Sequence, residues 1–141
     1  MIPFAIAVPA VPHFAPAATT VLVVEDEPHV CELASEALLD EGYRVLTAAD
    51  ACEAEAILSR ESVDLLFTDI DLARNTNGIV LARHAREHCP HLAVVYTSGG
   101  RTCLASGEAV PDSIFVPKPY RPSQLVALTN DLLRRTAFHS V

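Results

Sequence analysis

A doubly wound parallel α/β sheet is the fold class that this 141-residue sequence predicts. Three observations carry it. Short continuous apolar runs, rich in β-branched residues, recur along the chain, as strands buried on both faces require. Segments with apolar residues at helical spacing alternate with them. Strand–helix alternation implies crossover connections, hence parallel strands with helices on both faces. The length suits one domain with a real core.

The elements follow in order. "VLVV" (21–24) is the first strand. A helix opens at Pro28, which suits a first turn. Val30, Leu33, Ala34, Ala37 and Leu38 form its expected apolar stripe, and Gly42 its stop. "YRVLTA" (43–48) reads as the second strand, and Ala51 to Arg60 as a helix with Ala54, Ile57 and Leu58 inward. "VDLLFTD" (63–69) is the third strand; Gly78 to Cys89 is the third helix, stopped by Pro90. "LAVVYTS" (92–98) and "SIFVP" (113–117) are the last strands. Pro122 to Arg135 closes the fold as a helix, with Leu125, Leu128, Leu132 and Leu133 inward. Between the last two strands, "GGRTCLASGEAVPD" (99–112) holds three glycines and a proline with weak apolar spacing. The helix due there, fourth in order, is expected to be short or absent.

The domain is expected over residues 20–135, after an Ala/Pro-rich extension (1–19) and before a short tail (136–141). The extension carries no charged side chain, and its prolines break the apolar stretch that a secretory signal needs. Its scattered apolar residues, Phe4 and Phe14 among them, leave open docking on the domain or on a partner. A net charge of −8 with ten basic residues argues against nucleic acid. No apolar run reaches the roughly 18 residues of a membrane span. Cys31, Cys52, Cys89 and Cys103 lack zinc or disulfide spacing and read as reduced thiols of a cytoplasmic protein.

Chemistry in such sheets gathers beyond the carboxyl ends of the strands. Glu25 and Asp26 follow the first strand and Asp69 ends the third, with Asp71 two residues on. Thr97 and Ser98 end the fourth, and Lys118 follows the fifth. Singly, each has a bland reading: acids cap helices, a serine turns, a lysine is solvated. Together they would converge on one rim. Two carboxylates about 4 Å apart repel by about 4 kcal/mol at an effective dielectric of 20. A cluster of three demands a cation or raised pKa values. A hard divalent ion, Mg²⁺ or Mn²⁺, resolves this, and Mg²⁺ favours one or two carboxylates plus phosphate oxygens.

"VLVVEDEP", "DLLFTDIDL", "VVYTSG" and "FVPKPY" resemble, in order, the signatures of the receiver domain of two-component response regulators. The resemblance covers roughly residues 20 to 135 and implies the flavodoxin-like strand order 2-1-3-4-5. It implies Asp69 as phosphoacceptor, and Glu25, Asp26, Asp69 and the Asp71 backbone carbonyl as metal ligands. Ser98 matches the switch hydroxyl, with Thr97 as the alternative. Lys118 matches the phosphoryl-binding lysine, joined to Pro119 by a cis bond, and Phe115 the switch aromatic. The implied partners are a histidine kinase or histidine phosphotransfer protein, and a downstream protein the sequence does not name. The implied role is signalling by a phosphorylation-driven switch, without an output domain of its own and without turnover of an external substrate.

The chain departs from the family pattern in places. Ala73 stands where a proline is usual, and "DLARNTNG" is one residue longer than the common form. Other readings stay open. A receiver-fold interaction module that does not cycle phosphate is one. A dehalogenase-type phosphatase would use Asp69-x-Asp71, but Leu72 and Ala73 follow where Gly-Thr is usual. A flavin module is excluded by "EDEP", which would repel phosphate after the first strand. His84 and His88, four apart on a helix with Cys89 and His91 nearby, have metal-ligand spacing.

Overall fold

The computed structural model describes residues 18–139, with side chains through residue 135. The docking expected of the N-terminal extension falls on residues 1–17 and lies outside the described residues. Five strands, β1 (Thr20–Val24), β2 (Arg44–Ala48), β3 (Leu65–Asp69), β4 (Ala93–Ser98) and β5 (Ser113–Pro117), form one sheet in the order β2-β1-β3-β4-β5. Every pairing is parallel. The helices are α1 (Pro28–Asp40), α2 (Ala51–Arg60), α3 (Gly78–His88) and α4 (Pro122–His139). Helix α4 thus runs beyond Arg135, where the apolar pattern ends.

Every residue of β1, β3 and β4 is buried, which is why these strands are continuous apolar runs. The edge strands β2 and β5 are more open. Alternate side chains feed two cores. Leu22, Val24, Leu66, Val94 and Tyr96 join Ala54 of α2 and Leu81, Ala82 and Ala85 of α3. Val21, Val23, Leu65, Phe67, Val95 and Val116 meet Ala34 and Leu38 of α1 and Leu125 and Leu132 of α4.

The helix ends are set locally. Glu27 caps α1 by accepting the His29 N–H at 2.9 Å. Gly42 ends it with φ +103°, a left-handed conformation that glycine adopts without cost. Asp50 and Glu53 form a reciprocal cap on α2, with Asp50 accepting the Glu53 N–H at 2.8 Å and Glu53 accepting the Ala49 N–H at 2.7 Å. The inward stripe of α1 needs one correction. Leu33 is 45% exposed, and Val30 and Ala37 are half-buried. The buried line runs through Ala34 and Leu38, four apart, and Leu33 sits a hundred degrees off it.

Residues 99–112 contain no helix. Side chains of α3 and β4 hold the segment instead. Arg83 donates to the carbonyls of Gly107 and Glu108 at 3.1 and 3.3 Å, and Arg86 to that of Pro111 at 2.8 Å. The Tyr96 hydroxyl accepts the Val110 N–H at 3.0 Å. Within the segment, Glu108 binds both terminal nitrogens of Arg101, at 2.7 and 3.2 Å, and accepts the Ala105 N–H. Leu104, Ala109 and Val110 then cover the core where a helix would lie.

Candidate functional site

Parallel registry brings the strand ends together. Asp69 lies beside Thr97, Ser98 lies beside Pro117, and the Lys118 N–H donates to the Ser98 carbonyl at 2.9 Å. The Glu25 N–H donates to Ala48 at the end of β2. The Lys118–Pro119 peptide bond is cis.

Lys118 organises the rim. Its Nζ lies 2.7 Å from Asp69 Oδ2 and 2.8 Å from Glu25 Oε1. Both carboxylates are about 95% buried. Burial lowers the affinity of Lys118 for its proton, but the bonds and charges of Asp69 and Glu25 outweigh this and push its pKa up to about 12. Glu25 is raised as well, which for an acid disfavours the charged form. Burial pushes its carboxyl above the ordinary value, against the pull of Lys118. The other Glu25 oxygen accepts the Glu27 N–H at 3.2 Å. Since Glu27 caps α1, Glu25 and Asp26 are not consumed by that task.

Carboxylate oxygens of Glu25, Asp26 and Asp69 lie within 4.8 Å of one another. Asp26 is exposed, so the cluster opens to solvent on one side. Glu25 Oε1 is buried and, among the described residues, has Lys118 Nζ at 2.8 Å as its one partner. The Asp71 carbonyl accepts no hydrogen bond among the described residues. Three hard oxygen donors, a free carbonyl and a residual negative charge suit a small divalent cation.

The loop after β3 is held tightly. Asp69 Oδ1 accepts the Asp71 N–H at 3.0 Å, and Asp71 bridges to Asn77. Gly78, read from sequence only as a helix start, has a second duty. A Cβ there would stand 2.1 Å from the Asp69 carbonyl oxygen and 2.8 Å from Thr68 Oγ1. In the same loop Arg74 and Asn75 are both left-handed, at φ 61° and 57°. No single position in the sequence signals either point.

Ser98 is wholly buried. Its hydroxyl donates to Asp71 Oδ2 at 3.3 Å and accepts the Gly100 N–H at 3.1 Å. Thr97, one step earlier, leaves the sheet on the opposite face, and its hydroxyl has no partner among the described residues. Phe115 is half-buried against the core under α2 and α3. Tyr120 is a participant that the sequence reading missed. Its ring meets Phe67 edge-on, with centroids 5.7 Å apart, and burial pushes its phenol up to about 12. It therefore stays neutral beside the charged cluster. The "PKPY" motif contains it, but only tertiary packing shows that its hydroxyl is buried.

The histidine group does not assemble. His84 Nδ1 faces Glu55 Oε2 at 3.3 Å, and His88 Nδ1 faces the His84 carbonyl at 3.0 Å. Among the described residues, Glu25, Asp26 and Asp69 form the one set of three potential ligands close enough for an ion.

Residues 21–130 match the family model of the response regulator receiver domain. The probable transcriptional regulatory protein TcrX of Mycobacterium tuberculosis is 33% identical over 131 residues, covering 86% of this chain and 53% of that protein. The chain therefore spans about half the length of this curated relative, and 24% of AlgB, an alginate biosynthesis transcriptional regulatory protein of Pseudomonas aeruginosa. A response regulator receiver protein from Sinorhizobium medicae superposes with a TM-score of 0.80 at 32% identity, over 84% of this chain and 97% of that one. A CheY-like receiver domain protein from Methanospirillum hungatei shares the fold, with a TM-score of 0.77 at 22% identity, over 87% and 99% of the two chains.

Proposed function

Because the chain belongs to the response regulator receiver domain family, we propose that it accepts a phosphoryl group on Asp69 from a histidine kinase or histidine phosphotransfer protein. The observation that carries the reading is the buried Asp69 carboxylate, held at the end of β3 by Lys118 and the Asp71 N–H, beside an acidic cluster open to solvent.

An Asp69 oxygen attacks phosphorus in line. An O–P bond forms as the N–P bond of phosphohistidine breaks, and the imidazole leaves with the electron pair. Lys118 keeps its proton throughout, because its pKa of about 12 lies far above neutrality. Its charge therefore stays available to the phosphoryl oxygens as they gather density. Gly78 gives Asp69 a fixed backbone position, and fixed geometry lowers the cost of reaching the transition state. Glu25, Asp26, Asp69 and the Asp71 carbonyl would hold Mg²⁺ or Mn²⁺, which when bound supplies positive charge against the carboxylates and the transferring group. Ser98 and Phe115 supply the switch: the hydroxyl turns to the new phosphoryl oxygens and the aromatic ring repacks behind it. Signalling passes to a downstream protein through that change of shape.

Acetyl phosphate tests the reading without the cognate kinase. Intact mass after incubation with acetyl phosphate and Mg²⁺ is expected to rise by one phosphoryl group in wild type and not in Asp69→Ala. A wild type that gains no mass would point to an interaction module that does not cycle phosphate.

A further inference from the structure

We propose that the Asp71 carboxylate is a latch that keeps the Ser98 hydroxyl turned away from Asp69 until a phosphoryl group competes for it. The inference rests on Asp69 as the acceptor and concerns how that site is restrained at rest.

Ser98 is wholly buried, and its one hydroxyl proton goes to Asp71 Oδ2 at 3.3 Å. A hydroxyl has a single proton to donate. It cannot serve Asp71 and a phosphoryl oxygen together. Asp71 is well placed to hold it. Its N–H is anchored on Asp69 Oδ1 at 3.0 Å, and its backbone is pinned by the bridge to Asn77. Its carboxylate stands at the mouth of the site, with Oδ2 turned to the Ser98 hydroxyl. The same hydroxyl accepts the Gly100 N–H at 3.1 Å. Turning Ser98 towards Asp69 therefore disturbs the first residues of the 99–112 segment. Asp71 acts through Ser98, as a positioning residue, and it sets the threshold of the switch.

An ordinary alternative exists: the Asp71 charge simply repels an incoming anion. Beryllofluoride with Mg²⁺, a stand-in for the phosphoryl group, separates the two. Its affinity would be measured by calorimetry for wild type, Asp71→Ala and Asp71→Asn, each with and without Ser98→Ala. The latch predicts about five-fold tighter binding in Asp71→Ala, the worth of one hydrogen bond, and no change when Ser98→Ala is also present. Asp71→Asn should stay near wild type, because its amide oxygen still accepts the hydroxyl proton. Equal tightening with and without Ser98, or Asn behaving as Ala, would overturn the latch and leave Asp69 as acceptor untouched. Failure of wild type to bind the probe would overturn both. In metal-free protein, the Gly100 amide NMR resonance should shift in Asp71→Ala and not in Asp71→Asn. An unmoved resonance in Asp71→Ala would show that the resting contact does no holding.

Discussion

Lys118 bears on two buried carboxylates at once, and this makes it the residue on which the metal-free site depends. With Lys118→Met, Glu25 and Asp69 lose their counter-charge. A fully buried pair broken in this way costs about 3–5 kcal/mol. Lys118 keeps 20% of its side chain exposed, so a loss of about 2 kcal/mol at pH 7 is expected. The sign with pH follows from its raised pKa. The stabilisation is complete below 10.5 and is lost as pH rises towards about 12. Urea midpoints of wild type and variant should therefore converge across that window; a gap that persists at its top would refute this electrostatic account. At this scale much of the site was legible. Glu25, Asp69, Ser98 and Lys118 can be placed because β-branched runs mark the strand ends that present them. Gly78 and Tyr120 were not legible. The first matters through a backbone oxygen nine residues away and the second through a ring on another strand.

Among the elements, the segment between β4 and β5 differs most from a regular winding. Its glycines and weak apolar spacing announced the loss of a helix. What replaces the helix was hidden, because Arg83 and Arg86 reach partners about 25 residues away. Leu33 was misplaced for a related reason: helical spacing gives a stripe, but the neighbour decides where it is centred. Tyr96 tests the polar fastening. Tyr96→Phe keeps the ring but leaves the buried Val110 N–H without its acceptor, at a cost of about 1–3 kcal/mol. Backbone hydrogen exchange around residues 104–110 should accelerate while β1 and β3 stay protected. Uniform acceleration across the sheet would mean that the segment is not a separate unit.

For the whole molecule, a net charge of −8 is partly concentrated in one rim that lacks its cation in the metal-free state. Mg²⁺ should raise the melting temperature, by the equivalent of about 1.4 kcal/mol at ten times its dissociation constant. Asp26 is exposed and accepts no hydrogen bond among the described residues, so Asp26→Ala should melt like metal-free wild type and ignore Mg²⁺. An equal Mg²⁺ response in the variant would remove Asp26 from the ligand set.

The fastening of residues 99–112 also bears on how this surface can be inherited or engineered. A helix in that place would carry its own backbone ladder and could be moved between relatives as a cassette. Here the scaffold is written in two places, the segment itself and the guanidinium face of α3. A chimera given only the segment would receive a sequence without its supports. Arg83 and Arg86 would have to travel with it, so substitutions on α3 and in the segment are bound to each other's history.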